Sequence, residues 1–169
     1  MPLAPALPAD LGALRAFLSE ADLTLAGLED HSVRLWIDRR EDGTICGSTG
    51  FELSADGAHA LIRSVAVSAD RRRTGAGTSL ARYALRAAAE SGATEAWLFS
   101  RRSGAFWRTL GFTPADRAAL TEALPGAHQV VLFARSGQLE NEVAWRRSLR
   151  DRPLAEPEES PPHGGAGRS

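Results

Sequence analysis

The stretch RRRTGAG, at residues 71–77, constrains the fold most, because it joins two apolar segments of different periodicity. The segment before it, HALIRSVAV at 59–67, is a short apolar run and predicts a strand. The segment after it, at 75–91, places Leu80 and Ala84 on one helical face and charged residues on the opposite face, which predicts an amphipathic helix. The chain therefore contains a strand and a helix joined by a turn rich in arginine and glycine.

Arginine and glycine at the start of a helix indicate an anion site. Glycine lets the backbone approach a ligand closely, and the first helical turn offers unpaired N–H groups and a partial positive charge that bind phosphate. The arginines add permanent charge and forked donors. The sequence has no lysine for a Walker loop, and Leu80 stands where a Rossmann fingerprint needs its third glycine. We therefore interpret the turn as a different kind of cradle for phosphate or pyrophosphate.

The segments around this unit predict a mixed α/β fold. Alternating apolar residues predict strands at 33–40 and 44–54, which form an antiparallel meander with 59–67. A strand at 95–100 follows the long helix, and this order implies a parallel crossover. Further predictions are an edge strand at 2–7, a helix at 11–20, a helical turn near 24–30, a short helix in SGAFWRTLG and a last strand at 142–149. Residues 117–136 stay open, since DRAALTEAL favours a helix and QVVLF fits either a strand or a buried helical turn.

Composition limits the classes of function. The 169 residues suggest one domain, placed at 1–150, and the Pro- and Gly-rich segment 151–169 is predicted to be a disordered tail. A net charge of −1 gives no overall attraction for nucleic acid or an anionic membrane. The single Cys46 excludes an internal disulfide and a multi-cysteine metal site, and no metal is expected. With no signal-like N-terminus and no apolar run of about 18 residues, we expect a cytoplasmic protein.

The turn and its surroundings resemble a known superfamily. Arg72, Gly75 and Gly77 fit the pattern Arg/Gln-x-x-Gly-x-Gly/Ala, which resembles the coenzyme A motif of the GCN5-related N-acetyltransferases (GNAT). The segment AFWRTLGF resembles the A-x-x-F-Y-x-x-x-G-F helix of the family, and the order of strands and helices also agrees. The resemblance covers about residues 8–149. It implies a GNAT-like fold, with a mixed, mostly antiparallel twisted sheet, a splayed central strand pair and flanking helices.

The resemblance also implies acetyl-CoA as co-substrate. In the family the pantetheine arm pairs with free backbone of the fourth main strand, here 59–67, like an added strand. The turn that follows holds the pyrophosphate. The coenzyme A contacts implied in this way are Val65, Ala66, Val67, Arg72, Arg73, Thr74, Gly75, Ala76, Gly77 and Thr78.

The reaction implied is direct attack of an amine on the thioester, for which the amine must lose a proton. Glu52 is the candidate catalytic base. It lies on the predicted strand 44–54, on the face opposite Ile45 and Phe51. A carboxylate on a central strand is costly unless it is paired or hydrated. An exposed or salt-bridged Glu52 without a catalytic role stays open.

Two residues are predicted to contact the acceptor substrate, Arg63 and Trp107. Arg63 lies between Leu61 and Val65 on a central strand, so a buried guanidinium there needs a partner. That partner is either Glu52 or a substrate carboxylate, and the second would suit an amino-acid-like molecule. Trp107 stands where many family members place a tyrosine as general acid, so proton delivery to the thiolate comes from water or is not needed.

A narrower likeness concerns the GNAT branch associated with arsenic-resistance operons. The segments GFE, LIRSVAV and AFWRTLGFTPADRAAL are similar to GLE, LLRSLAV and FFxxLGFxxxxR in that branch. The likeness implies a role in resistance, with an arsenical or an amino-acid analogue as substrate. The chain departs from the branch at ARSGQLENEVAW, where a cysteine-proline element is usual.

Three functions stand as alternatives. The first is an N-acetyltransferase acting on a small-molecule amine, and the second is a GNAT-fold module that binds acyl-CoA without efficient transfer, as Trp107 suggests. The third, an arginine-rich nucleic-acid binder, is disfavoured by the near-neutral charge. A homodimer stays open, because dimers are common in the family.

Overall fold

The computed structural model describes residues 3–150 and shows a mixed α/β fold built on a seven-stranded sheet. The strands are β1 (Ala4–Pro5), β2 (Val33–Arg39), β3 (Ile45–Leu53), β4 (His59–Val67), β5 (Glu95–Phe99), β6 (Thr113–Ala115) and β7 (Ala144–Ser148). The helices are α1 (Leu11–Glu20), α2 (Ala76–Glu90), α3 (Gly104–Thr109), α4 (Arg117–Ala123) and α5 (His128–Ser136). Short 3-10 turns lie at Pro8–Asp10, Ala69–Arg71 and Gln138–Asn141. The predicted tail at 151–169 lies outside the described residues.

The sheet has the strand order β1-β2-β3-β4-β5-β7-β6 and is mostly antiparallel. Strands β2, β3 and β4 form the predicted meander. The pairing of β4 with β5 is parallel, and α2 makes the crossover between them. These findings confirm the predicted fold class and the parallel crossover after the basic turn.

Helices cover both faces of the sheet. On one face, α2 buries Ala81, Ala84 and Leu85 in a cluster that also contains Phe51 and Trp107. The opposite face is covered by α1 over the first strands and by α4 and α5 over the later ones. Because its apolar face packs on the sheet, α2 begins near the C-terminal end of β4.

The structure settles the segments that sequence left open. Residues 117–136 form the two helices α4 and α5, so QVVLF belongs to a helix. Near residue 27, where a helical turn was predicted, the chain forms a turn in which the Asp30 N–H donates to the Gly27 carbonyl at 2.9 Å. The short strand β6 was not predicted, because its proline fits only an edge strand and three residues give no periodicity.

A bulge corrects one predicted face. Asp38 pairs with Gly47 and Arg39 pairs with Ile45, so Cys46 is an extra residue in β3. The extra residue reverses the alternation before it. Ile45 therefore packs on the α1 side, while Phe51 packs on the α2 side. The prediction that these two side chains share one face was wrong.

Candidate functional site

The strands β4 and β5 separate after a short paired region. They pair at three positions only, the last being Leu61 with Trp97. Beyond this point a cavity of about 220 Å³ opens between them. Its walls include Arg63, Val65, Gly77, Ser103, Trp107 and Gln129. We call this cavity the slot; it joins the diverging strands to the beginning of α2.

A second bulge shapes the slot wall on β4. Opposite Thr49, β4 places two residues, Ser64 and Val65. Ser64 is buried and has a left-handed backbone with φ of 59°. Such a conformation costs a non-glycine residue roughly 1–2 kcal/mol, and it interrupts the ladder to the neighbouring strand. As a result Val65 packs towards α2, while Arg63 stays on the opposite face.

The turn before α2 is formed by two residues with left-handed backbone and is stabilised by the Thr74 hydroxyl. Arg73 and Gly75 both adopt left-handed conformations, with φ of 65° and 86°. The Thr74 hydroxyl donates to the Arg71 carbonyl at 2.5 Å and accepts from the Ala76 N–H at 3.3 Å. The chain thus reverses sharply and presents the first turn of α2 at the surface.

Gly77 leaves open space above that helical turn. A Cβ atom placed on it would meet no atom within 4 Å, and its φ is not left-handed. Glycine inside a helix costs up to about 1 kcal/mol relative to alanine. Neither packing nor backbone conformation therefore requires glycine here. The open space lies beside amides that, by helix geometry, have no intrahelical acceptor.

The arginines of the turn divide into an anchor and two exposed cations. Arg71 Nη1 lies 3.4 Å from Asp38 Oδ2 on β2, which ties the turn to the sheet. Arg72 and Arg73 are exposed and form no salt bridge within residues 3–150. Their guanidinium groups add to the partial positive charge of the helix start. The turn is therefore suited to an anion with several oxygens.

Glu52 lies in a buried cluster behind the slot. Only 1% of the residue is exposed. Its Oε2 lies 3.4 Å from Arg63 Nη1, and its Oε1 accepts a hydrogen bond of 2.9 Å from the His128 backbone N–H. This N–H belongs to the first residue of α5, where the helix dipole favours a negative charge. Glu52 thus joins β3 to both β4 and α5.

Arg63 connects this cluster to the slot. Its side chain is fully enclosed, and burial lowers the pKa of the guanidinium while Glu52 opposes that effect. Arg63 Nη2 donates to the Thr24 carbonyl at 3.2 Å, and Nε donates to the Ser64 hydroxyl at 3.3 Å. These bonds and the Glu52 contact use three of the five N–H groups. Arg63 lines the slot, whereas Glu52 lines a second cavity of about 520 Å³.

His128 extends the cluster towards solvent. Its Nε2 lies 3.0 Å from Asp30 Oδ2 and 3.7 Å from Glu52 Oε1. The pKa of Asp30 is lowered to about 2, chiefly because the Ser32 backbone N–H donates to it and also because of His128. A Cβ atom on Gly27 would lie only 2.1 Å from the His128 ring, so that residue must be glycine for the ring to fit. His128, Asp30 and Glu52 are thereby held in one chain of contacts.

The acetyltransferase (GNAT) family profile matches residues 7–112, which is more than half of the chain. The chain belongs to the acetyltransferase (GNAT) family. A search among curated proteins found no significant match.

Solved structures agree with the GNAT fold. An acetyltransferase of the GNAT family from Staphylococcus aureus Mu50 has a TM-score of 0.67 at 14% identity, covering 88% of this chain and 99% of that one. N-acetylglutamate synthase from Neisseria gonorrhoeae, in complex with coenzyme A and N-acetyl-glutamate, has a TM-score of 0.66 at 19% identity; the likeness covers 88% of this chain and 35% of that one. Tetrahymena GCN5 has a TM-score of 0.68 at 10% identity, covering 92% of this chain and 100% of that one. At such identities the likeness shows the fold alone.

The GNAT fold brings most of the predicted site residues together. The predicted coenzyme A contacts lie on the last part of β4, on the turn and on the first turn of α2. Trp107 is 8% exposed, lines the slot and packs edge-on against Phe106 and Phe112, with ring centroids 4.9 and 5.5 Å apart. Arg63 also lines the slot, but Glu52 does not. The predicted base therefore touches the slot only through Arg63.

Sequence reasoning missed three parts of this GNAT site. His128 carries no ligand spacing, because its partner Glu52 lies 76 positions away in the chain. Gln129, which lines the slot, falls in the segment whose structure was left open. The bulge at Ser64 has no glycine to mark it, and only its positive φ reveals it.

Residues 3–150 contain no group of three or more His, Cys, Asp or Glu side chains placed to hold a metal ion. None of the helices in this part of the chain has the length and apolar character needed to cross a membrane.

Proposed function

We propose that this GNAT protein transfers an acetyl group from acetyl-CoA to the amine of a small, amino-acid-like molecule, by direct attack in a ternary complex. One observation carries the proposal: the slot between β4 and β5 opens beside the first turn of α2, which has open space above Gly77 and follows the two exposed arginines Arg72 and Arg73. Acetyl-CoA fits such a site, because its diphosphate needs cations and N–H donors, whereas its thioester end needs the space between the two strands.

The coenzyme is held at two places in this proposal. Amides of the first turn of α2, with Arg72 and Arg73, bind the pyrophosphate. The pantetheine arm runs along β4 and pairs with main-chain groups of Val65 and Val67, which β5 no longer covers. The left-handed Ser64 interrupts the ladder between β3 and β4 near the same place.

The acceptor amine lies at the inner end of the slot. In this proposal the Arg63 guanidinium, which has two N–H groups left, moves towards the slot and binds a carboxylate of the acceptor, which favours an amino-acid-like molecule. Glu52 accepts the proton of the amine through a bridging water, because its carboxylate faces away from the slot. Trp107 forms the wall against which the reacting groups pack.

A thermal-shift series tests the proposal. Acetyl-CoA at about 100 times its dissociation constant should add roughly 2.7 kcal/mol to the free energy of unfolding. Release of free thiol is then measured with a panel of amines that includes amino acids and arsenical amino-acid analogues, since the narrower likeness points to these. Absence of any stabilisation by acetyl-CoA contradicts the proposal at its first step.

A second candidate function is a GNAT-fold module that binds acyl-CoA and regulates another process. It is favoured by Trp107 at the position of the tyrosine acid and by the contacts that already occupy both oxygens of Glu52. Thermal stabilisation by acetyl-CoA without thiol release from any amine supports this alternative.

Replacement of Gly77 by leucine should weaken coenzyme binding at least about tenfold. Leucine is a good helix former, and a Cβ atom at this position meets no protein atom within 4 Å, so we expect the fold to tolerate it while the longer side chain fills the space above the amides. Calorimetric titration with coenzyme A measures the effect. Gly77→Ala is the matched control, because the family pattern allows alanine there; equal affinities in the two variants contradict the proposed cradle.

A further inference from the structure

We propose that His128 acts through Glu52 and carries the proton that Glu52 takes up out to solvent. This proposal rests on the acetyl transfer proposed above. An ammonium group has three protons to place in each turnover. The amine nitrogen bonds to the carbonyl carbon, the carbon–sulfur bond breaks, and its electron pair stays on sulfur. One proton remains on the amide nitrogen, one ends on the thiol, and the third is accepted by Glu52. That third proton must leave before the next turnover.

Glu52 has few routes by which to lose this proton. The residue is 1% exposed, so its access to solvent is limited to the second cavity that it lines. Within residues 3–150, two charged or titratable side chains approach its carboxylate within 4 Å, Arg63 and His128. The guanidinium of Arg63 has no acceptor site for a proton. Of these two side chains, the ring of His128 is therefore the one that can take up the proton.

The ring of His128 is placed between the buried carboxylate and solvent. Nε2 lies 3.7 Å from Glu52 Oε1, a gap that a ring movement of about 1 Å or one bridging water closes. The proton enters at Nε2 of a neutral ring that carries its own proton on Nδ1, and the Nδ1 proton is then released to solvent, since the His128 side chain is 33% exposed. Asp30, 3.0 Å from the same nitrogen, stabilises the imidazolium that forms. His31 also contacts Asp30, at 3.3 Å, but its side chain is fully exposed.

Two features position this ring. The backbone N–H of His128 donates to Glu52, which anchors the residue at the start of α5. Gly27 leaves room for the ring, since a Cβ atom at this position would lie only 2.1 Å from it. The histidine is thereby held next to the carboxylate whose proton it receives.

Kinetics of His128→Gln test the proposal. Glutamine keeps a donor for Asp30 but does not take up a proton near neutral pH. We expect kcat to fall at least about tenfold, the KM for acetyl-CoA to stay unchanged, and the pH profile of kcat to differ from that of the wild type. His31→Gln is the matched control, since His31 contacts the same aspartate and should leave the pH profile intact. Wild-type kcat and pH profile in His128→Gln would overturn the proposal.

A second measurement does not depend on turnover. With 13C-labelled glutamate, the carboxyl signal of Glu52 should show an inflection at the pH where the His128 ring titrates, and His128→Gln should remove it. A Glu52 signal that does not respond to the ring overturns the proposal. If the wild type acetylates no amine while the signals are coupled, the proposed function fails and the link between the two residues stands.

Discussion

Glu52→Gln is expected to lower kcat for amine acetylation by about 10²- to 10⁴-fold, the usual contribution of a positioned general base. Glutamine has the size of glutamate and still accepts the hydrogen bond from the His128 N–H, so the start of α5 stays in place; the variant leaves the charge of Arg63 unpaired and is less stable, so rates are compared at a temperature where both proteins are folded. Glutamine cannot take a proton from the amine. The slot is lined by other residues, so the affinity for acetyl-CoA should change little. Steady-state kinetics and calorimetric titration measure the two effects separately.

The matched control for this variant is Glu122→Gln. Glu122 is exposed on α4 and lines the same second cavity as Glu52, but it makes no contact with Arg63. Its replacement should leave kcat within about twofold of the wild type, as is usual for surface substitutions away from a site. Similar rates in Glu52→Gln and Glu122→Gln would remove Glu52 from the mechanism and favour the binding module.

The order of strands and helices could be predicted from local patterns. The helical period of 75–91 predicted α2. The apolar runs before the basic turn and after α2 predicted β4 and β5, because each segment has one buried face. Residues 117–136 gave no such answer. Their helices are short and carry few buried residues, so the apolar run in QVVLF fits either structure from sequence alone.

The site was predictable only where its residues are adjacent in sequence. The turn at 71–77 works through its own backbone, so its glycines and arginines reveal it. The cluster of Glu52, Arg63 and His128 depends on pairing between β3 and β4 and on the docking of α5, which no local pattern encodes. Bulges add a further limit, since one extra residue reverses every face prediction beyond it.

Arg63→Met is expected to destabilise the protein by about 3–5 kcal/mol, the usual cost of breaking a buried ion pair by removing one partner. Methionine fills much of the volume of the arginine stem, so the loss comes mainly from the charge. Glu52 would keep its negative charge in a site where its side chain is 2% exposed and its cationic partner is missing. At about 2–4 °C per kcal/mol for a domain of this size, the midpoint of thermal unfolding should fall by roughly 6–20 °C.

The double variant Arg63→Met/Glu52→Gln separates charge from packing. If the uncompensated carboxylate causes the loss, the neutral glutamine should recover a large part of it, and the double-mutant cycle should give a coupling energy of about 0.5–3 kcal/mol. A double variant no more stable than Arg63→Met would show that the bonds from Arg63 to Thr24 and Ser64 matter more than its pairing with Glu52. In that case Arg63 holds the loop at residue 24 against β4, and Glu52 is stabilised chiefly by the N-terminus of α5, where its Oε1 accepts the His128 N–H.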